Sequence, residues 1–290
     1  MSSAPTTGQG GHGILSTAED KERTNVHYEQ PPAFFNLITG GEWNVYSCNV
    51  WTNAATDTES QEAKLDLLAR LMELKPGQRI LDVGCGWAGP LVYLSKKYGV
   101  QGVGLTLSPT QMEYADRRIA EHGADVEVIE RHWQEYEDER GFDAIYTDEV
   151  IVHFADLGGF FAKAHSLLRP GGRFVNKELH FVNSRYKQLT PTGVFVDEIY
   201  GLTGNYRTLG EELTLLDQHG FAVRLVHQIP IENYTMTGAR WLANMDAHRD
   251  ELRELVGADH FRRFRTYLKI VGRMTRSTMM TMDVVASQKL

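Results

Sequence analysis

Between residues 79 and 181 the chain strings short apolar runs between longer segments, and no other feature narrows its fold as much. RILDV (Arg79 to Val83), GVGLT (Gly102 to Thr106), VEVIE (Val126 to Glu130) and FDAIYTD (Phe142 to Asp148) follow one another, and RPGGRFVNKELHF adds a Pro-Gly-Gly turn and a further run. Near-continuous apolar runs of this length mark strands buried on both faces, and parallel neighbours need crossovers of helix length between them. The expected architecture is α/β, a doubly wound and mainly parallel Rossmann-like sheet. FAVRLVHQI and MMTMDVVASQ read as two later strands that bracket a helical stretch over about 237–274. Ahead of the sheet, Ala63, Leu65, Leu67, Leu68, Leu71 and Met72 crowd one face of a helix predicted over 60–73.

The ends of the chain read differently. Residues 1–17 are rich in Ser, Thr, Gly and Pro without hydrophobic period, so a flexible tail is expected there. Residues 18–75 are expected to form an N-terminal cap and helix, and 76–290 the main body of one globular domain. The cap begins with NVHYEQPPAFFNLITGGEWNVYSCNVW, whose dense aromatics lack strict alternation and suit a cover over a cofactor or an apolar substrate.

Composition removes several classes of function. A net charge of −8 disfavours binding to a phosphate backbone, so no nucleic acid is expected. Cys48 and Cys85 are too few for a disulfide framework or a four-ligand zinc site, so free thiols and no metal are expected. No apolar run reaches the ~18 to 20 residues of a membrane span. The chain is read as cytoplasmic, and its oligomeric state stays open.

The chemistry-bearing motif is LDVGCGWAG, Leu81 to Gly89, at the end of the first strand. Glycines there let the backbone approach a ligand at the carboxyl edge of the sheet. Gly84, Gly86 and Gly89 also satisfy GxGxxG, so glycines alone leave a dinucleotide site open. Asp82 precedes the glycines, however, and the second strand ends in Thr106-Leu107-Ser108, where a nicotinamide enzyme wants an acid for the ribose. That combination favours S-adenosylmethionine (SAM).

YSCNVW (Tyr46 to Trp51), LDVGCGWAG, GLTLSPTQ (Gly104 to Gln111), RHWQEY (Arg131 to Tyr136) and NYTMTGARWLANM (Asn233 to Met245) stand in the order seen in the cyclopropane fatty acid and mycolic acid synthases. From about Asn25 onward the chain resembles that family of class I SAM-dependent methyltransferases, with an N-terminal helical cap and substrate-side insertions. The resemblance implies that Tyr46, Ser47, Gly84, Gly86, Thr106, Leu107, Gln111 and Trp133 contact SAM. Asp82 and Cys85, inside the glycine-rich segment, join them as candidates.

Cyclopropane-forming members hold a bicarbonate with a Cys, a Glu, a His, a backbone position and a Tyr. By resemblance the Cys matches Cys48 and the Tyr matches Tyr234. The Glu of a Glu-His-Phe segment is Val152 here, and the His position aligns on Lys177, next to Glu178. A site without that Glu and His lacks the partners to keep a buried anion charged and oriented, so cyclopropane formation is not expected.

The expected function is instead SAM-dependent methylation of a carbon–carbon double bond in a small hydrophobic acceptor. A prenyl group of a terpenoid or indole natural product comes first, as in teleocidin-type C-methyltransferases, with a carbocation that rearranges or cyclises. Tyr28, Phe34, Phe35, Tyr200, Tyr206, Tyr234 and Trp241 are candidates to face that cation, Tyr200 and Tyr234 foremost. Glu149 follows the fourth strand and resembles in position the acid of bacterial prenyl-alkene methyltransferases; it is the first candidate for proton acceptor, and His153 the second. The alternatives are methyl branching or cyclopropanation of an unsaturated fatty acyl chain, an alkaloid N-methyltransferase, and a non-catalytic SAM-binding regulator.

Overall fold

Residues along each central strand alternate between two apolar cores, and that alternation puts helices on both sides of one sheet. A computed structural model describes residues 17–19, 21–22, 30–189, 205–276 and 279–290. The expected tail, Tyr28 and Tyr200 lie outside the described residues, except that Thr17 is described. Helices α1 (Pro32–Thr39) and α2 (Asp57–Met72) come first. They are followed by β1 (Arg79–Val83), α3 (Gly89–Tyr98), β2 (Gln101–Thr106), α4 (Pro109–His122), β3 (Val126–Glu130), β4 (Phe142–Asp148), α5 (Leu157–Leu167) and β5 (Leu168–Phe181). Then come α6 (Ser184–Leu189), β6 (Arg207–Thr208), α7 (Leu209–Gln218), β7 (Phe221–Ile229), α8 (Glu232–Ala247), α9 (Arg249–Met274) and β8 (Met280–Lys289).

The strand order is β3-β2-β1-β4-β5-β8-β7, with the two-residue β6 paired to β5. Strands β1 to β5 run parallel to their neighbours, and β8 is antiparallel to both β5 and β7. Ile80, Ala144, Tyr146 and Val175 share a core with Leu65, Leu68 and Met72 of α2 and Leu91 of α3. Leu81, Val83, Ile145 and Phe174 face the other way, onto Phe160 and Phe161 of α5 and Leu216 of α7. Strand order reverses between β1 and β4, and open α/β sheets leave a crevice at the carboxyl ends there.

Two elements depart from the expected pattern. The segment between β3 and β4 holds only a 3-10 turn at Trp133–Glu135, because it is pinned in place: Arg79 grips Asp138 with two bonds of 2.8 Å. The long helical stretch divides at His248, and α9 contains a non-helical Gly257 at φ 81°. Among the described residues no helix is long and apolar enough to cross a membrane.

The cap is stitched across the crevice by hydrogen bonds. Arg118 of α4 donates to the Trp43 carbonyl at 3.1 Å. On α8, Thr237 accepts from the Asn49 amide and the Trp51 indole at 3.1 and 2.9 Å, and Asn233 accepts from the Trp51 amide at 2.7 Å. Tyr46, Ser47 and Cys48 are thereby laid over the ends of β1 and β4.

Candidate active site

After Val83 the chain turns through Gly84 at φ 86° and Gly86 at φ 56°, backbone that L side chains rarely adopt. The Gly84 and Cys85 amides both donate to the Leu105 carbonyl, at 2.9 and 3.0 Å, which ties the loop to β2. The three glycines do different jobs. A Cβ on Gly86 would meet nothing within 4 Å, whereas one on Gly84 would strike Val150 at 2.7 Å. At Gly89 it would lie 1.7 Å from the Trp43 carbonyl, so this glycine serves the approach of the cap. The third glycine of the apparent GxGxxG therefore has a packing reason, and Gly89 is not among the residues that line the crevice.

One cavity brings together Tyr46, Ser47, Asp82, Gly84, Cys85, Gly86, Thr106, Leu107, Gln111 and Trp133, all ten of the candidate cofactor residues. Thr106 donates to Gln111 Oε1 at 2.7 Å, which fixes the carboxamide and leaves its Nε2 as a donor. Ser108 caps α4 by accepting from the Gln111 amide at 3.2 Å. Trp133 offers an aromatic wall braced by Phe154 and Phe160, with ring centroids 5.5 and 5.4 Å away. Asp82 lies at the floor, bonded by the Tyr146 hydroxyl at 2.6 Å; burial pushes its carboxyl up to about 7 against the pull of that bond. Cys85 is buried, its thiol held well above the ordinary value by desolvation. Donors, an aromatic wall and a glycine cradle in one crevice fit an adenosyl cofactor.

The other end of the cavity carries charge. Lys64 of α2 and Lys177 of β5 are fully buried, and Asp148 lies between them: Lys177 Nζ is 2.8 Å from Oδ1, while Lys64 pairs with Oδ2. Ser47 Oγ donates to the same Oδ2 at 2.8 Å. Lys177 also pairs with Glu149, whose Oε1 accepts from the Cys48 amide at 2.6 Å. Two cations thus face two carboxylates, the arrangement that buried charges require.

The remaining candidates divide. Glu149 and His153 line the cavity with Val150 and Phe154. Tyr234 does not line it; it is buried behind, its hydroxyl raised well above the ordinary value by burial and then by the charge of Glu149. Phe34, Phe35 and Trp241 belong to an aromatic cluster under α1, α8 and α9, where Trp241 stacks on Tyr46 at 5.0 Å. Tyr206 packs edge-on against Phe181 at 6.2 Å, away from the cavity lining. Lys177, which the sequence showed only as a replacement for a histidine, pairs through its ammonium with the carboxylate of Glu149, which also accepts from the Cys48 amide. Lys64 was missed altogether. Its signal was a lysine on the buried stripe of α2, between Gln61 and Leu65 and Leu68, all fully buried.

A family model described as "Mycolic acid cyclopropane synthetase" matches residues 15–285. The chain belongs to this family. Among relatives, the probable fatty acid methyltransferase Rv3720 of Mycobacterium tuberculosis is 31% identical over 254 residues, covering 85% of this chain and 58% of that protein. The cyclopropane-fatty-acyl-phospholipid synthase of Escherichia coli K12 is 34% identical over 146 residues, covering 50% of this chain and 36% of that one. The match therefore spans less than two thirds of the length of either relative. The crystal structure of mycolic acid cyclopropane synthase CmaA1 complexed with SAH and CTAB superposes with a TM-score of 0.85 at 24% identity, covering 93% of this chain and 98% of that one. Its likeness shows the class I methyltransferase fold. The family is one of SAM-dependent methyltransferases, and SAM is the cofactor.

Proposed function

We propose that the chain methylates a carbon–carbon double bond of an unsaturated acyl lipid. The observation that carries this reading is the inner end of the cavity, where Val150 and Phe154 give apolar walls and a held carboxylate, Glu149, stands beside them. An alkene needs such walls, and once methylated it needs a place for a proton. The sequence reading put a prenyl acceptor first and an acyl chain second. The relatives are named for fatty acids, fatty acyl phospholipids and mycolic acids, which favours the reverse order.

When bound, SAM supplies a methyl group on a sulfonium, an electrophile that needs alignment more than activation. The chain's own residues do the aligning. In this reading the Gly84–Gly86 turn admits the cofactor, Gln111 and Trp133 fix one end of it, and Tyr46 and Ser47 from the cap close the crevice over the other. Asp148, saturated by Lys64, Lys177 and Ser47, holds the floor of the acceptor end rigid.

The test is incubation with methyl-labelled SAM and separate pools of unsaturated phospholipids, prenyl diphosphates and amines, with mass spectrometry and NMR of the products. The expected result is label on a former alkene carbon of an acyl chain. Label on a prenyl carbon would restore the first acceptor named above, and label found solely on nitrogen or oxygen would end the alkene reading.

A further inference from the structure

The two residues after β4 differ in how their oxygens are used. Asp148 is saturated: Lys177 on one oxygen, Lys64 and Ser47 on the other. Glu149 uses only Oε1, for Lys177 and the Cys48 amide, and among the hydrogen bonds of the described residues Oε2 has none. That free oxygen belongs to a side chain that lines the cavity shared with Gly84 and Gly86.

Glu149 is also placed there at a cost. Its φ is 59°, a left-handed conformation uncommon for a residue with a side chain, and its amide donates to the Lys177 carbonyl at 2.7 Å. The turn bends the chain off the strand end and returns the carboxylate to the cap, against Cys48. Strained backbone at a pocket, over-determined by three contacts from two other segments, points to a role in the site.

We infer that Glu149 is a resident proton acceptor, a side-chain carboxylate seated where other chemistry of this kind would need an anion from solution. The inference rests on the alkene reading above. As the methyl bonds to one alkene carbon, the S–CH3 electron pair stays on sulfur and positive charge develops on the other carbon. A neighbouring C–H bond then breaks, its electron pair forming either a new double bond or the third side of a cyclopropane, and Oε2 takes the proton. Product release lets the carboxylic acid return that proton to water. Two nearby groups are poorer bases: burial pushes the Cys48 thiol up to about 12, so it stays protonated, and the Tyr234 hydroxyl is likewise held neutral. Lys177 is a positioning residue, holding Oε1 and so aiming the carboxylate.

Glu149→Gly tests this directly, because glycine takes φ 59° without strain and leaves the Lys177 ammonium and the Cys48 amide facing a carboxylate-sized space. In buffer free of bicarbonate and formate the variant is expected to lose at least a hundred-fold in turnover, and millimolar formate to recover at least ten-fold of it. On SAM-free protein, formate is expected to raise the unfolding temperature of Glu149→Gly but not of the native chain, as binding to the folded state requires. Adding Lys177→Met should remove both effects. Native turnover is expected to ignore bicarbonate. Glu149→Gln, which keeps the side-chain volume, should show the loss in turnover without rescue.

Full turnover of Glu149→Gly or Glu149→Gln without added anion, no formate effect on Glu149→Gly by either readout, or a strict bicarbonate requirement of the native chain would each overturn the proposal. Failure of the underlying reading looks different: the methyl would be found on nitrogen or oxygen. Carbon methylation that survives in Glu149→Gly without anion rejects the base and leaves the alkene reading standing.

Discussion

Strand β5 carries two buried ionic clusters on opposite faces, and they differ in what they touch. Lys177 points with Val175 and Leu179 toward α2, where Lys64, Asp148 and Glu149 meet it at the wall of the cavity. Asn176, Glu178 and His180 point the other way. There His180 lies 2.7 Å from Glu212 of α7 and 3.1 Å from Asp283 of β8, and Asn176 donates to both oxygens of Glu212 at 3.0 Å. Glu178 accepts from the Val152 amide at 3.1 Å, and burial pushes its carboxyl up to about 8. None of these five residues lines the cavity. The sealed cluster fastens α7 to the sheet, whereas the open one includes two carboxylate residues, Asp148 and Glu149, that line the cavity. Burial of charge by itself therefore does not mark a functional site; a place in the lining of the cavity separates the two clusters.

Lys177→Met should give the largest effect and breaks the comparison most directly. Removing one cation from a balanced buried set costs about 3–5 kcal/mol, so a large fall in the urea midpoint should accompany a loss of turnover beyond a hundred-fold. Unchanged turnover in the folded variant would put the two faces of β5 on an equal, structural footing. On the sealed face, Glu212→Gln should lower stability by about 2–4 kcal/mol and leave SAM affinity, read by calorimetry on folded protein, unchanged. A large loss of affinity would show the clusters to be coupled through the sheet.

The pH response sharpens the same contrast. Although burial disfavours its charge, hydrogen bonds that its ring donates to Asp283 and Glu212 raise His180 from 6.5 to about 10. The folded protein then holds a proton that the unfolded chain releases between those values. This contribution is fully present below about pH 6.5 and is lost as pH rises toward 10. Urea midpoints measured from pH 6.5 to 10 should fall for the native chain and fall less steeply for His180→Gln; identical slopes would mean the imidazole is neutral in the fold.

The smallest predicted effects distinguish the two loop glycines. Gly86→Val adds a side chain where nothing lies within 4 Å, so SAM affinity should drop at least ten-fold with a stability cost of only about 1–2 kcal/mol from the positive φ. Gly84→Val should lose binding too, but through collision with Val150, and Gly84→Ala should regain stability when Val150 is also cut to Ala. Equal behaviour of both glycines in calorimetry and unfolding would refute that division of roles.

The sequence by itself determined the strands, the helix ahead of the sheet and the cofactor end of the crevice, because these rest on local physics. Apolar runs bury strands, Gly84 and Gly86 take a conformation that side chains resist, and Thr106 reaches Gln111 across five positions of one strand–helix junction. The runs FDAIYTD and FAVRLVHQI begin and end where β4 and β7 do. Two matters were decided only by tertiary structure. Gly89, read as a possible ligand-loop glycine, answers to the Trp43 carbonyl of the cap, 46 positions earlier. The acceptor end joins Ser47 and Cys48, Lys64, Asp148 and Glu149, and Lys177, and no local period in the chain relates them. From sequence Lys177 looked like the loss of an anion-binding group, since the carboxylate it holds could not be placed beside it. Charge pairing acts between groups that the fold brings within hydrogen-bonding distance, so the meaning of a buried lysine is set by its neighbours in space.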